Sequence, residues 1–483
     1  MTAREAVVAG AGVAGLCSAL ILARRGFRVT LLEPRDRVGM TLRGFTRRGV
    51  YFDTGLHYTG GLGENGALSR LFGRLGLSLE TAPFADNGFD LIHLADSGRV
   101  VPIRSGARQF SEGLKESFPA EARAIEAFTA DLVLAHDSSE YLAARPNPDL
   151  AGKALALEII SLAQRLAAIS DPELRRVLSC HTLLHGTPSS AVSMLLHGRI
   201  LGSYLHGVHS VRGGGRALVR ALEQACLAAG VTIRLKARLC RVECADKRVQ
   251  GALLQNGERL PAFLVLYTGR PEAVPDLFEP DTLRPKYAAR MRGLVSTPSA
   301  CMLFGTARTI PPVLAGRNLF FLEGQGPDTA FHADAQPERG PFFVTATPDP
   351  AGGHGGGVTV IAPAGVAGFE PYAGYSPGKR PAAYYDLKKR VLAGMERRIR
   401  QLCPALAGVD FIDGATPATL AHYLDNPQAA LYGVRRPYDG FAPMPLTRVA
   451  GFAVAGQGVV APGVLGAVIS AFVACDLITA NQF

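Results

Sequence analysis

Gly10-Ala11-Gly12-Val13-Ala14-Gly15 places three glycines where a strand gives way to a helix. Each glycine has its own task in that setting. The first permits a tight turn, the second lets the backbone approach a pyrophosphate, and the third lets the helix pack on its strand. The helix N-terminus then offers unpaired N–H groups and partial positive charge to the phosphates. Glu33, eighteen residues past Gly15, ends the next strand, where a carboxylate binds ribose hydroxyls. An acid at that place also disfavours a 2′-phosphate. The glycine pattern alone is a weak signal. Together with Glu33 it predicts dinucleotide binding, against a glycine-rich turn that holds nothing.

A second glycine-rich turn lies near the C-terminus. The strand FAVAG ends at Gly456-Gln457, and Pro462-Gly463-Val464-Leu465-Gly466-Ala467 opens a helix. RGGGRAL (212–218) is also glycine-rich but does not match GxGxxG, so it is no second dinucleotide site. Other constellations fail on their chemistry. His181 and His185 have metalloprotease spacing, but HTLLH lacks the glutamate of HExxH. His197, His206 and His209 fall in an apolar helical stretch without a complete ligand set, and no metal is expected. Gly374-x-x-x-Gly378-Lys379-Arg380 has the wrong spacing for a phosphate loop, and no G-x-S-x-G elbow occurs.

The elements that must position these turns can be read from periodicity. Residues 5–33 read as one βαβ unit whose helix stops at Gly26. Residues 66–104 hold a short helix and two paired strands, FDLIHL and RVVPI. Residues 107–207 look mainly helical, and 189–205 is apolar for a surface helix. Residues 211–235 read as loop, helix and strand. Residues 241–269 continue as short strands with an Asn256-Gly257 hairpin signal. Residues 285–370 are mostly β, 384–403 form a long amphipathic helix, and 451–478 repeat strand, turn and helix. Nucleotide-binding units thus sit at the start, middle and end, with a second domain inserted between them.

Composition bounds the class. The chain has 483 residues, 48% of them apolar, which excludes a disordered chain and predicts two or three lobes. Only 19% are charged, below the usual quarter. The net charge of +10 is carried almost entirely by arginines spread along the chain, so nucleic-acid binding is not expected. A basic face toward an anionic membrane remains open. Eight cysteines are too sparse for a disulfide framework, so buried thiols in a reducing cytoplasm are expected. The uncharged stretches 6–23 and 450–475 imitate a signal peptide and a membrane span. Their glycines, with Gln457 and Pro462 in the second, make buried strand–turn–helix units the better reading.

EPRDRVGMTLRGFTRRGVYFDTGLHYTGG, which begins at Glu33, resembles the segment after the ribose carboxylate in large FAD oxidoreductases of the amine oxidase and phytoene desaturase type. DTGLHYTGG, the block from SSAVSMLLHGRILGSYLHG to VRGGGRALVRAL, GATPATLAHYLDNPQAALYG and AGQGVVAPGVLGA together resemble the retinol saturase and carotenoid isomerase branch of the carotenoid desaturase superfamily. The resemblance covers nearly the whole chain. It implies FAD, with Gly10, Gly12, Val13, Ala14, Gly15, Glu33, Pro34, Arg35, Gly39, Met40, Thr41, Gly55, Leu56, His57, Val242, Gly456, Gln457 and Val464 around it. Met40 departs from the family's Gly-Gly pair beside the diphosphate, and Gln457 stands where many flavoenzymes have an acid. The Val242 backbone is expected near the adenine.

The implied fold is an α/β, Rossmann-type FAD domain from 1–65, 208–275 and 431–483. A substrate domain of mixed sheet and helix takes 66–107 and 276–430, and a helical insertion takes 108–207. The implied reaction is hydride exchange between the flavin and a carbon of an apolar polyene or isoprenoid, with a proton moved at the neighbouring carbon. Saturation, desaturation and isomerisation all fit. His57 is the candidate proton donor or substrate-positioning group, with Tyr58 beside it. An amine oxidase-like enzyme and a prenyl-binding escort like the GDP dissociation inhibitors are the alternatives. The electron partner stays open, and the expected location is the cytoplasm, peripheral on a membrane. A continuous apolar tunnel should reach the flavin face near Gly55 to Tyr58 and Gly456 to Val460.

Overall fold

The computed structural model of the chain describes residues 4–39, 41–348, 356–426 and 428–480. Met40, a predicted cofactor residue, lies outside them. Five parallel strands form the first sheet, in the order Thr232–Leu235, Phe27–Glu33, Arg4–Ala9, Leu264–Tyr267 and Phe452–Val454. Its strands come from the beginning, middle and end of the chain. Side chains alternate across a strand. Ala6, Val8, Leu264 and Leu266 therefore pack under the helices Val13–Arg24, Gly214–Ala228 and Gly463–Ala480. Val7, Ala9 and Val265 face the opposite core, below the small antiparallel sheet of Leu239–Ala245, Arg248–Leu254 and Arg259–Pro261. The last two of those strands meet at the predicted hairpin, where Gly257 has φ +87°.

The helix Gly463–Ala480 is long and apolar enough to cross a membrane, and half of it is buried inside the protein. Val468, Ile469, Phe472 and Ile478 share one core with Leu16 and Leu20 of the first helix. Burying each such side chain stabilises the fold by about 1.5–3 kcal/mol. Near its end, Asp476 pairs with Arg25 and accepts from the Tyr141 hydroxyl at 3.2 Å.

A seven-stranded sheet forms the second layer, in the order Asp410–Ala415, Ser299–Ala307, Gly356–Ala364, Phe342–Pro348, Asn318–Leu322, Asp90–Leu94 and Arg99–Ile103. All its pairs are antiparallel except Asn318–Leu322 with Asp90–Leu94. Alternation again divides its faces. Cys301, Leu303, Val344 and Val360 pack under the helix Ala382–Leu402. Met302, Phe304, Phe320, Phe343 and Ile361 point the other way, into a cavity.

The helices between 107 and 205 close one end of that cavity. Met194–Leu205 packs on Ala122–Asp137 through small residues. A Cβ on Gly198 would lie 2.7 Å from that of Ala135, and one on Gly202 would lie 3.0 Å from that of His136. The apolar stretch that begins at Ser189 is therefore an inner helix of this lobe, capped by Ser193, whose hydroxyl accepts from the Leu196 N–H at 3.0 Å. Ala67–Arg74 packs against Gly463–Ala480 and joins the same core through Ala67, Leu68, Leu71 and Phe72.

Candidate active site

The three glycines of the first turn differ in what surrounds them. Gly10 has φ +105°, and a Cβ there would meet Thr268 Oγ1 at 2.6 Å. On Gly15 a Cβ would lie 1.8 Å from the Gly10 carbonyl oxygen. Both are required by packing. Gly12 is the exception: a Cβ would meet nothing beyond its chain neighbours within 4 Å, and the residue lines the cavity together with Val13 and Ala14. Gly12 also caps the helix Val13–Arg24 without any side-chain hydrogen bond. The helix thus offers its first N–H groups to open space, the donor set that a diphosphate needs.

Glu33 is buried and braces this turn from below. It accepts from the Ala11 N–H at 3.0 Å and the Arg35 N–H at 2.9 Å. Pro34, between Glu33 and Arg35 in the chain, does not line the cavity. The Arg35 guanidinium turns away, to the His422 carbonyl and to Asp425 at 3.6 Å. Gly39 ties its loop to the turn by donating to the Ala11 carbonyl at 2.8 Å, and a Cβ there would meet Val219 at 2.4 Å. Like Glu33, Val242, whose backbone is the candidate adenine contact, lies outside the lining of this cavity. Its side chain packs in the core beside Val249 and Ala252.

Asp53 explains the glycine-rich stretch at 213–215. Its carboxylate accepts from the Gly215 N–H at 2.9 Å and from the Tyr51 hydroxyl at 2.9 Å, and a Cβ on Gly214 would lie 2.1 Å from it. Burial pushes the Asp53 pKa up to about 7, against the pull of those two donors. The middle segment is thereby clamped to the loop that carries Thr41 and Gly55, both of which line the cavity.

The C-terminal turn reaches the same cavity. Gly456 has φ +123° and donates to the Ser470 hydroxyl at 2.9 Å. Gln457, Val460 and Val464 line the wall, and the helix Gly463–Ala480 begins there. Two helix N-termini therefore face one space, which suits a group carrying a diphosphate and a second anionic centre. The open position at Gly12, the braced Glu33 and these two termini fit FAD.

The cavity has a volume of about 990 Å³ and runs from the Gly12 turn across the apolar face of the second sheet. It crosses five neighbouring strands, so it extends about 19 Å, four strand spacings. Leu56 and His57 line it where the two parts meet. His57 is enclosed by protein, its Nδ1 has no hydrogen-bond partner, and burial lowers its pKa to about 4. It is a neutral imidazole at pH 7.

Tyr58 also lines the cavity, but its hydroxyl donates to Asp90 Oδ2 at 3.0 Å, and burial beside that carboxylate raises its pKa well above 10. Asp90 is a hub that sequence reasoning missed. It is fully buried, meets His181 Nε2 at 2.9 Å, and accepts from the Asn318 amide at 3.0 Å. His185 Nε2 lies 3.2 Å from His197 Nδ1, so these histidines serve buried polar pairing. No sequence signal marks Asp90, because its partners lie far along the chain. Among the described residues, His136, Asp137 and His206 bring possible ligand atoms within 4.8 Å of one another. Their imidazoles stack at 3.9 Å and 17°, so the ring lone pairs run side by side instead of converging.

Comparison with known proteins agrees with this geometry. Residues 13–353 match the family described as flavin containing amine oxidoreductase. All-trans-retinol 13,14-reductase of Rattus norvegicus is 28% identical over 89% of this chain and 77% of its own length. Phytoene dehydrogenase of Streptomyces griseus is 31% identical over 63% of this chain and 61% of its own. An oxidoreductase from Methanosarcina mazei has the same fold, with a TM-score of 0.67 at 15% identity over 98% of this chain and 100% of that one. A glycine turn open to a cavity, an acid bracing it and a three-segment parallel sheet are thus explained together: this chain belongs to the flavin-containing amine oxidoreductase family, as an FAD-dependent oxidoreductase of the carotenoid desaturase and retinol saturase superfamily.

Proposed function

We propose that the enzyme acts on carbon–carbon bonds of an apolar polyene or isoprenoid, by saturation, desaturation or cis–trans isomerisation. One observation carries this reading: the apolar sheet face and the cofactor cradle line a single cavity. A long hydrocarbon gains roughly 25 cal/mol per Å² buried there, before ordering costs. Asp413 is the one carboxylate residue among the described lining residues, and it pairs with Arg47 at 3.3 Å and Lys388 at 3.4 Å. An amine substrate would find no free acid to pair with.

FAD, when bound, supplies hydride exchange with a substrate carbon. Gly12, Val13 and Ala14 would hold its diphosphate, and Glu33 its ribose. Thr41, Gly55, Leu56, Gly456, Gln457 and Val464 would hold the flavin end. The sheet face orients the chain of the substrate and excludes water. His57, a neutral imidazole in the cavity wall, would position the substrate or exchange the proton at the carbon next to the one that exchanges hydride. Tyr58, held by Asp90, would keep the segment that carries His57 in place.

The test is anaerobic incubation of oxidised and reduced enzyme with a polyene panel, followed by mass analysis. A product differing by two hydrogens, or an isomer, supports the reading. Turnover of amines with no change in any polyene would overturn it.

The finer placement, cytoplasmic and peripheral on a membrane, belongs to the same proposal. Leu155 and Ile159 are 65% and 74% exposed, one helical turn apart, and suit a lipid surface. Liposome sedimentation lost in the Leu155→Asp, Ile159→Asp double variant supports this placement. Unchanged sedimentation contradicts it.

A further inference from the structure

Among the described residues, six cationic side chains line the cavity: Arg37, Arg43, Arg47, Arg199, Arg380 and Lys388. Four are ion-paired, Arg37 with Asp36, Arg43 with Glu223, and Arg47 and Lys388 with Asp413. Arg380 lacks a carboxylate but is held within the protein. It donates to the Tyr384 hydroxyl and the Ala418 carbonyl, and its guanidinium lies over the Tyr384 ring.

Arg199 is different. It is largely buried, and its one hydrogen bond runs from Nε to the Ala135 carbonyl at 3.4 Å. Its two terminal nitrogens have no hydrogen-bond or ion-pair partner among the described residues. Glu158 acts on it only through space, and burial lowers its pKa from the ordinary arginine value. The fork opens onto the cavity, and the planar guanidinium of arginine matches a carboxylate with two parallel hydrogen bonds.

The place of Arg199 indicates what would supply that anion. On the helix Met194–Leu205, Leu196, Ile200 and Ser203 line the cavity with it. Positions three and four apart share a helix face. The unpaired fork is therefore set into an apolar wall, and the Ser203 hydroxyl on the same face is committed to the Ile200 carbonyl at 2.7 Å.

We propose that Arg199 forms a subsite for a carboxylate at one end of the apolar substrate, so that the preferred substrate is a polyene acid. The inference rests on the apolar-substrate reading above and narrows it. The polyene chain would lie along the sheet face while the fork fixes its end and hence which double bond meets the cofactor.

The test compares all-trans-retinoic acid with all-trans-retinol, titrated into the oxidised holoenzyme and read by perturbation of flavin absorption. The wild type should bind the acid more tightly than the alcohol. In Arg199→Met the acid-to-alcohol preference should fall by about tenfold or more, the range of charged hydrogen bonds. Arg199→Lys, which keeps the charge but not the fork, should retain part of it. FAD content is measured in each variant. If Arg199→Met strips flavin, or weakens both ligands equally, the arginine serves the cofactor or the fold and the proposal is overturned. If the wild type binds the alcohol as well as the acid, the subsite fails while the polyene reading stands. If it binds neither, the polyene reading falls and the subsite with it.

Discussion

Gly12 and Gly15 allow ligand contact and packing to be separated with one methyl group each. An alanine at Gly15 would put its Cβ 1.8 Å from the Gly10 carbonyl oxygen, so the turn must open by about 1.2 Å to reach even 3.0 Å. Overpacking of that kind costs about 1–3 kcal/mol. An alanine at Gly12 meets nothing beyond its chain neighbours within 4 Å, and the backbone there has φ −73°, which any residue adopts. Losing glycine at the cap costs up to about 1 kcal/mol. The stiffer unfolded chain returns about 0.4–1 kcal/mol of this. Apo Gly12→Ala should therefore melt within a few degrees of wild type, while Gly15→Ala melts clearly lower. FAD affinity should show the reverse emphasis. The Gly12 methyl projects into the space assigned to the diphosphate, and a tenfold loss of affinity corresponds to about 1.4 kcal/mol. Thermal melts of the apoproteins and fluorescence titration with FAD measure both quantities. Wild-type FAD affinity in well-folded Gly12→Ala would refute the assignment of this turn to the cofactor.

Glu33→Ala removes the acceptor of the Ala11 and Arg35 N–H groups and should weaken FAD retention by about 1.5–3 kcal/mol, checked by flavin released on gel filtration. Asp90→Ala leaves Tyr58, His181 and Asn318 without their shared acceptor. It should lower the unfolding free energy by about 3 kcal/mol or more, seen as a lower urea midpoint; an unchanged midpoint contradicts the hub. The pKa values of His57, His136 and His185 are lowered to about 4, 4 and 3, mainly by burial. Between their unfolded pKa near 6.5 and these values the unfolded chain binds more protons. Stability is thus full above pH 6.5 and falls as the solution is acidified, by up to about 1.4 kcal/mol per pH unit for each histidine. His57→Gln should remove one histidine's share of that slope in pH-dependent unfolding, and an unaltered slope would show that His57 is not held neutral.

Much of the cofactor half was legible in the sequence. The Gly10–Gly15 turn, the flanking strands, the Asn256-Gly257 hairpin and the Gly456–Ala467 turn depend on backbone dihedrals and on apolar spacing over a few residues, and local composition carries both. The apolar helix ending at Ala480 shares a core with the first helix, and the glycines and Pro462 before it mark its turn in the sequence. The helix spanning 189–205 was legible as apolar, but not as the wall that presents Arg199.

What the tertiary structure alone decided is each feature whose partner lies far along the chain. Asp53 meets Gly215, and Asp90 gathers Tyr58, His181 and Asn318. The strand Asn318–Leu322 runs parallel to Asp90–Leu94 inside an otherwise antiparallel sheet. The cavity lies between two layers whose residues look alike in sequence: Leu303 is core and Met302 is lining, one position apart. An apolar residue announces only that it will leave water. Whether it then meets another side chain or an enclosed space depends on how whole layers are spaced, and a buried carboxylate takes its donors from whatever the fold brings within 3 Å.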